Sequence, residues 1–390
     1  MEEMQNLNIN MSGFELPFCV EKDNEYYETL KILFSKYSKF IKNHQVPAVA
    51  NMYRKVRKTV SRINKALDLY YAGAIADSLK CIKSILNDIV SAGNDVRLIE
   101  KCYAFKGASI EPPKSCKEEY SCWYKYAAGF SPLIFYRARI GTEKYDIKDM
   151  LHIPFDNRGI IQNKRFSING LPCLYLASTT YGSWLEMGKP ANDEFQVCAY
   201  ILPKDLQILD LTIRQDLING LSSMATNKEI KQALDYVEMF PLVIAISGVV
   251  KEKGRTFKSE YIIPQLLMLA CKEKKINGIA YLSTQSSDSF SYPQAVNLAI
   301  MMSKGKSDKY WNRLNDVRIT NPVCFAEFLM RPKENESKEN VKAFVNALFH
   351  DDFSNTIKLA DRPSTYTQTS FSGFDEYLAG CDFQNAAESK

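Results

Sequence analysis

Residues His152 to Glu186 read HIPFDNRGIIQNKRFSINGLPCLYLASTTYGSWLE and carry the strongest structural signal in this sequence. The dipeptide Asn169-Gly170 marks a turn. The apolar run Leu171 to Ala177 that follows is typical of a buried strand, and Thr179 to Met187 predicts a short amphipathic helix. The stretch is therefore expected to form a turn, a strand and a helix, with Glu186 near the end of the helix.

Strands and helices are also predicted on both sides of this stretch. The predicted strands are Leu133 to Ile140, Gln196 to Leu202, Gln207 to Leu211, Gly278 to Ser283 and Ala295 to Met301. The predicted helices are Lys228 to Phe240 and Ser259 to Lys274. Because the strands are short and do not alternate steadily with helices, this part of the chain predicts an α+β fold.

The N-terminal part of the chain predicts a helical domain. Tyr26 to Ile41 has an amphipathic pattern, and apolar residues recur by threes and fours from Val49 to Tyr70 and from Ile75 to Ile89. Gly73 separates the last two segments, which predicts a helical hairpin. The apolar stripes of this hairpin are narrow and need a helix partner, either in the same chain or in a second copy that would make a homo-oligomer.

One face of the predicted hairpin is basic. Seven lysine or arginine residues and no acidic residue lie between Lys42 and Leu67. This pattern is typical of a solvated helix face, and it also fits a surface for an acidic partner or nucleic acid. Aromatic residues do not alternate with these charges as they do in proteins that bind single strands, which argues against nucleic acid.

The composition limits the classes of function. The 390 residues are 46% hydrophobic and 24% charged with a net charge of +5, ordinary values for a folded protein. No apolar run approaches the roughly 20 residues of a membrane helix, and the N-terminus lacks the apolar core of a signal peptide. The ten cysteines include no CxxC pair, which fits reduced thiols in a cytoplasmic protein. The three histidines, His44, His152 and His350, have no second ligand at metal-binding spacing, so no metal site is expected.

Composition also suggests the division of the chain. We expect an N-terminal helical domain and connector over residues 1–128, and a catalytic domain over residues 129–330. Residues 331–390 are polar and rich in serine and threonine, with a short helix expected at Val341 to Phe349. This last region is predicted to be a loosely attached tail.

Polar residues occupy positions of the second domain where a core would not need them. Arg137 lies within the strand-like LIFYRARI, Arg165 precedes the Asn169-Gly170 turn, and Tyr175 lies on the strand after it. Glu186 lies on the short helix among aromatic residues, and Ser283 ends the apolar strand GIAYLS. Each placement alone is compatible with a purely structural role, so the order and combination of the five carry the argument.

In this order the segments between Leu133 and Met301 resemble the RES domain, a bacterial family named for an arginine, a glutamate and a serine. The run RFSINGLPCLYLAS, followed by the helix glutamate, is the most specific part, and EYIIPQLL and GIAYLS add to it. The resemblance implies an ADP-ribosyltransferase-like split β core with flanking helices and a cleft for NAD. It also implies an enzyme that consumes NAD, and many members are toxins restrained by a separate antitoxin.

The resemblance assigns roles to the five residues. Arg137, Glu186 and Ser283 correspond to the arginine, glutamate and serine of the family name, and Arg165 and Tyr175 match further cleft positions. These roles are chemically reasonable, because guanidinium groups bind pyrophosphate oxygens and an aromatic ring stacks on a cationic nicotinamide ring. A carboxylate stabilises positive charge that develops on a ribose, and a serine hydroxyl can bind the ribose or the amide. No metal is required.

Several residues compete for these roles. Arg158 could replace Arg165 at the phosphate, and Arg139 could replace Arg137 if the strand register shifts by two residues. Glu260 is the rival carboxylate, although a charge at a helix N-terminus explains it more simply. His152 is interpreted as a structural or loop histidine.

The leading hypothesis is therefore an NAD glycohydrolase or NAD phosphorylase, using water or phosphate, that acts as a toxin in a toxin–antitoxin or bacterial defence system. A protein ADP-ribosyltransferase is the first alternative, and a non-catalytic interaction or scaffold protein with a RES-like cleft is the second. The expected partners are NAD, phosphate, and an antitoxin or regulatory protein. Residues 1–128 are expected to regulate the enzyme, to bind a trigger or to form an oligomer.

Overall fold

The structure, a computed structural model, describes residues 13–92, 96–105, 133–212, 227–285, 294–305, 309–331, 356–359 and 362–388. These residues belong to two units. The helical unit contains the described residues of Met1–Arg97, Gln162–Asn169 and Leu211–Asn277. The sheet unit contains those of Leu98–Ile161, Gly170–Asp210 and Gly278–Lys390.

The described helices are numbered along the chain. They are α1 (Tyr26–Lys42), α2 (Pro47–Ala50), α3 (Tyr53–Tyr71), α4 (Ile75–Ala92), α5 (Ile147–Met150), α6 (Thr180–Glu186), α7 (Asn227–Ile246), α8 (Ile262–Glu273), α9 (Phe325–Leu329) and α10 (Ser370–Ala379). Among the described residues, no helix combines the length and the apolar character that crossing a membrane requires.

The described strands are numbered in the same way. They are β1 (Cys19–Val20), β2 (Val96–Leu98), β3 (Ile134–Ile140), β4 (Cys173–Ala177), β5 (Phe195–Ile201), β6 (Gln207–Asp210), β7 (Val249–Val250), β8 (Gly278–Leu282), β9 (Val296–Met301), β10 (Arg318–Ile319), β11 (Val323–Cys324), β12 (Thr356–Leu359), β13 (Arg362–Thr365) and β14 (Gln384–Asn385). Helices and a mixed sheet together confirm the predicted α+β class with a helical N-terminal region.

The predicted hairpin is present in the helical unit as α3 and α4. Gly73 lies between them with φ of 79°, a conformation that glycine adopts without steric cost, and this explains the break in the apolar pattern. The apolar stripes of the helices are buried against one another, and Val56, Ile63 and Leu67 of α3 are fully covered. Tyr37 of α1 donates a hydrogen bond to the carbonyl of Val237 in α7, so α7 belongs to this bundle.

The basic face of α3 is partly neutralised within the helical unit. Lys58 and Arg62 both contact Asp88 of α4, at 2.8 and 2.6 Å. Lys55 contacts Glu238 of α7 at 3.2 Å. Three of the seven basic residues therefore have acidic partners on α4 or α7, which favours a solvated, salt-bridged face over a surface for nucleic acid.

The sheet unit has a central sheet with the strand order β14-β10-β5-β3-β4-β9-β8-β6. β3 pairs with β5 antiparallel along its whole length, from Ile134 to Ile140, and β4 pairs with β9 from Cys173 to Ala177. In the described residues, β3 and β4 share only the pair Tyr136 and Ala177. The centre of the sheet is therefore its weakest line of pairing, and β3 and β4 part beyond Tyr136.

Two apolar clusters cover the two faces of this sheet. Phe135 and Leu298 belong to one cluster, and Ile134 and Tyr136 belong to the other. The second cluster also contains α10, whose Phe371, Phe374 and Leu378 are buried. At the sheet edge, β14 pairs with β10. The prediction of a loosely attached C-terminal tail is therefore wrong for residues 362–388, because their aromatic residues complete one face of the core. The helix expected at 341–349 lies outside the described residues.

The two units do not follow the expected boundaries at residues 128 and 330. α7 and α8 were expected in the catalytic domain, but they belong to the helical unit, as does the short segment Gln162–Asn169. The physical reason is packing: α8 contacts α3, α4 and α7 of the helical unit, and its Ile263, Leu267 and Cys271 are buried. Most of the expected connector, residues 106–132, lies outside the described residues.

Candidate active site

Glu186 is the last residue of α6 and lies at a defined position because both ends of this short helix are fixed. Thr179 caps the N-terminus of the helix, and its side-chain oxygen accepts a hydrogen bond from the backbone NH of Gly182 at 2.9 Å. At its other end, Glu186 Oε1 accepts hydrogen bonds from Ser283 Oγ at 2.5 Å and from Asn297 Nδ2 at 2.7 Å. The structure thus brings together Glu186 and Ser283, two of the residues that the sequence singles out.

The two donors to Glu186 are themselves held by the sheet. Ser283 directly follows β8, and its backbone NH donates to the carbonyl of Ala295 at 2.8 Å. Asn297 lies in β9, in register with Ala177 of β4 and Tyr281 of β8. One carboxylate oxygen of Glu186 is therefore fixed by two neighbouring strands, and in the part of the chain described here no hydrogen-bond donor contacts the other oxygen.

Asn297 is a site residue that the sequence analysis did not identify. It lies within the apolar strand sequence AVNLAIM, and its side chain is buried. The side-chain oxygen Oδ1 is also buried and has no hydrogen-bond donor among the described residues. Burying an asparagine in a strand of alanine, valine and leucine costs desolvation energy. A single asparagine within this apolar sequence was therefore the signal that could have identified Asn297.

Arg137 lies on β3, directly after the last residue that pairs with β4. Its Nη1 donates to the carbonyl of Tyr175 at 3.2 Å, and Nη2 lies 3.5 Å from the carbonyl of Leu151. Its Nε is buried and has no acceptor, and no carboxylate pairs with it among the described residues. The guanidinium group thus occupies the gap between the parting strands without a counter-ion.

Arg139, the alternative to Arg137, points to the same side of β3. Its Nε donates to the carbonyl of Asp149. Burial, and next the neighbouring charge of Arg137, lower the pKa of Arg139. The charge of Asp149 acts on Arg139 in the opposite direction, so Arg139 has an acidic neighbour, whereas no carboxylate pairs with Arg137 among the described residues.

Strand alternation places Tyr175 and Asn297 on the same face of the sheet. Tyr175 is in register with Ala299 of β9, which is two residues from Asn297. Arg137 follows Phe135 by two residues and leaves the sheet on the opposite face, but its Nη1 reaches the backbone oxygen of Tyr175 in the plane of the sheet. Tyr175 and Arg137 therefore lie on opposite faces of the sheet, next to the point where β3 and β4 separate.

Arg165 belongs to the helical unit, whereas Glu186, Ser283 and Arg137 belong to the sheet unit. Its two terminal nitrogens donate to the carbonyls of Ile246 and Gly248 at 2.8 and 3.0 Å, and its guanidinium lies 5.3 Å from the centre of the Tyr261 ring. Arg158, its alternative, is in the sheet unit and donates from Nε to the carbonyl of Phe155 at 2.9 Å. The pyrophosphate role expected for either residue stays a prediction.

Glu260, the rival carboxylate, has a structural partner. It is buried just before α8 and forms a two-point ion pair with Arg255, at 2.7 and 3.0 Å. Arg255 also pairs with Asp23. This arrangement satisfies the carboxylate inside the helical unit, in line with the structural interpretation.

His152 is buried in the sheet unit with both ring nitrogens engaged. Nδ1 lies 2.8 Å from the carbonyl of Ile153, and Nε2 accepts a hydrogen bond from the backbone NH of Trp311 at 2.9 Å. Burial lowers the pKa of His152 to about 4, opposed by the Ile153 hydrogen bond and assisted by the charge of Arg137. The histidine is therefore neutral at physiological pH and has the structural role expected.

Comparison with known proteins adds one relative. The chain is 33% identical over 218 residues to the putative toxin YopC of Bacillus subtilis (strain 168), an alignment that covers 53% of this chain and 49% of the relative. The chain thus spans about half the length of the curated relative that it matches. No family model matches the sequence. No solved structure matches it either.

Proposed function

We propose that this chain consumes NAD by breaking the bond between nicotinamide and ribose, and that this activity makes it a toxin. The observation that carries the proposal is the fixed carboxylate of Glu186, held at one oxygen by Ser283 and Asn297. The resemblance of the sequence to RES domains supports NAD cleavage, and its similarity to a putative toxin supports the toxin role.

The chemistry requires a carboxylate beside the ribose. When the bond between C1′ and the nicotinamide nitrogen breaks, its electron pair leaves with nicotinamide and positive charge develops on the ribose. Glu186 offers the oxygen that no described residue contacts to stabilise this charge. A water molecule then adds to C1′ and transfers a proton to the carboxylate, which gives ADP-ribose. Phosphate as the nucleophile would give ADP-ribose 1″-phosphate instead.

The rest of NAD needs an anion site and an aromatic surface. Arg137 has an unused N–H and no carboxylate partner among the described residues, so it can bind the pyrophosphate. Tyr175 lies on the same face as Asn297 and can stack against the nicotinamide ring. Because Arg137 and Tyr175 leave the sheet on opposite faces, NAD would have to lie across the line where β3 and β4 separate in order to contact both.

The test is a time course of NAD consumption by the purified protein, with and without phosphate and with products separated by chromatography. We expect wild type to release nicotinamide, and Glu186→Gln and Arg137→Ala to lose at least about 100-fold of this activity. Glu327→Gln is the matched control, since it changes an exposed carboxylate of the same unit. Wild-type protein that leaves NAD intact would contradict the proposal.

The same reaction products separate the alternatives. ADP-ribose indicates water, ADP-ribose 1″-phosphate indicates phosphate, and a labelled protein indicates a protein ADP-ribosyltransferase. Absence of both turnover and NAD binding would favour the scaffold role.

Toxicity has its own test. Induced expression of the wild-type chain in bacteria should stop growth and deplete cellular NAD, whereas Glu186→Gln at the same protein level should do neither. Equal toxicity of both proteins would separate the toxic effect from NAD cleavage. An antitoxin, if one exists, should restore growth when it is expressed with the wild-type chain.

A further inference from the structure

The helix that carries Glu186 is too short to hold its own position. α6 contains seven residues, and a helix of this length is unstable in water unless tertiary contacts support it. Ser283 and Asn297 fix its C-terminal end through Glu186. The N-terminal end must therefore be fixed by other contacts for the carboxylate to stay in place.

The residues 356–359 and 362–388, which we name the C-terminal segment, supply these contacts. Asp375 Oδ1 accepts a hydrogen bond from the backbone NH of Thr180 at 2.8 Å. The Thr180 hydroxyl donates to the carbonyl of Phe371 at 3.1 Å, and the Tyr181 hydroxyl donates to the carbonyl of Lys358 at 3.2 Å. The first turn of α6 is thus held by three hydrogen bonds to one segment.

Asp375 is the central group of this arrangement. The NH of Thr180 is one of the helix donors that no intrahelical acceptor can satisfy, and a carboxylate at this end is favoured by the helix dipole. The second carboxylate oxygen of Asp375 accepts from the Tyr366 hydroxyl at 2.5 Å. Its orientation is therefore fixed from within the C-terminal segment.

Asp375 also connects α6 to the strand that carries Arg137. The Tyr136 hydroxyl donates to the backbone carbonyl of Asp375 at 3.0 Å, and the Ser183 hydroxyl of α6 donates to the carbonyl of Tyr136 at 3.3 Å. One residue of the C-terminal segment thus contacts the neighbour of Arg137 and the helix of Glu186.

We propose that Asp375 is a positioning residue for NAD cleavage, which holds the helix of Glu186 against the strand of Arg137. This inference rests on the proposed function. β3 is held independently by its full-length pairing with β5, so loss of Asp375 should displace Glu186 and leave Arg137 in place. The expected signature is a lower kcat with an unchanged KM for NAD.

The experiment compares three variants in the full-length protein. Asp375→Leu removes both acceptor oxygens and should lower kcat at least tenfold, with KM within about twofold of wild type. Asp375→Asn keeps an oxygen for the Thr180 NH and should retain at least half of the activity. Asp382→Leu, which changes an exposed carboxylate of the same segment, is the control and should match wild type.

A fourth variant and a second measurement keep the test independent of folding and of turnover. Tyr366→Phe removes the hydrogen bond to Asp375 and the interaction of the same hydroxyl with Thr179, and it should lower kcat by a smaller factor without changing KM. Hydrogen exchange should quicken at the amides of Ser183 and Met187 in Asp375→Leu, while β5 stays protected. These two amides bond within and just after α6, so they report the helix directly.

The outcomes separate the two proposals. If wild type cleaves NAD and Asp375→Leu keeps its kcat, or if KM rises in step with the loss of kcat, the positioning role is wrong. If wild type does not cleave NAD, the proposed function fails, and unchanged exchange in α6 would then overturn the positioning role separately.

Discussion

Two partly buried arginines, one in each unit, have opposite surroundings. Arg255 of the helical unit has a side chain that is 11% exposed, and it pairs with Glu260 at two points and with Asp23. The hydrogen bond to Glu260 raises its pKa further. Arg137 of the sheet unit contacts only carbonyl oxygens, and its Nε has no acceptor among the described residues.

The difference separates an arginine that stabilises the fold from one that is available for a ligand. Burying a charge is costly unless it is paired, and Arg255 meets this requirement with two carboxylates. Arg137 keeps an unused donor at the parting of two strands, where an anion would supply the missing acceptors. Structure therefore distinguishes two residues that look alike in the sequence.

The largest expected effect is on stability. Arg255→Met leaves Asp23 and Glu260 without their cation and should lower the unfolding free energy of the helical unit by about 3–5 kcal/mol. Arg137→Met removes an incompletely satisfied charge and should cost the sheet unit about 1 kcal/mol or less. Hydrogen exchange measured for peptides of each unit checks both values. An Arg137 variant as unstable as the Arg255 variant would break the comparison.

His152 differs from both arginines because its hydrogen bond from the Trp311 NH can form only when the imidazole is neutral. Its pKa is lowered from 6.5 to about 4 in the folded protein, so between these values the unfolded chain binds more protons. Stability from this residue is therefore full above pH 6.5 and is lost as the pH falls towards 4, by about 3 kcal/mol in total. The check is the pH dependence of urea unfolding of wild type against His152→Asn, which should lack this component. Parallel pH profiles would contradict the assignment.

A smaller effect is expected at the asparagines with unpaired oxygens. Asn297→Ala removes a donor from Glu186 and should lower the rate of NAD cleavage by about tenfold, or 1.4 kcal/mol. Asn64 of α3 also has a buried Oδ1 without a donor, but it belongs to the helical unit, so Asn64→Ala is the matched control. Steady-state kinetics of both variants would show whether an unpaired oxygen marks the site or is merely tolerated. Equal rates in the two variants would remove Asn297 from the site.

The smallest effect is expected on the basic face of α3. The Lys58 side chain is 54% exposed where it contacts Asp88, so Lys58→Ala should change the unfolding free energy by less than about 1 kcal/mol. The difference from wild type should shrink further in high salt, as measured by urea unfolding. A larger, salt-independent loss would place Lys58 with Arg255 among the arginine and lysine residues that the fold requires.

Local patterns in the sequence were sufficient for most elements of the fold. The strand and helix around Tyr175 and Glu186 are present as predicted. Such elements depend on the spacing of apolar residues, which is visible in a short window. Arg137 lies on the predicted strand, and Glu260 lies at the start of the predicted helix region. The role of each residue stays a prediction.

Other features depend on partners distant in the sequence. Arg165 lies a few residues before a strand of the sheet unit, but its carbonyl partners come from the end of α7 and the residues after it. α10 was missed because its serine and glycine residues masked the spacing of Phe371, Phe374 and Leu378. Asn297 was missed because its neighbours are those of an ordinary buried strand. In each case the contacts that place the residue come from segments far away in the sequence, so a short stretch of sequence could not reveal them.

The single pair between Tyr136 and Ala177 has a mechanical consequence. Each half of the sheet is stiff, because β3 is tied to β5 and β4 to β9 along their lengths. We therefore expect the sheet to bend most easily along the line between β3 and β4, where a single residue pair joins the two halves. Arg137 lies in the half that contains β3 and β5, and Asn297 lies in the half that contains β4 and β9. A small rotation about this line would change the distance between Arg137 and Asn297 without breaking any other strand pair.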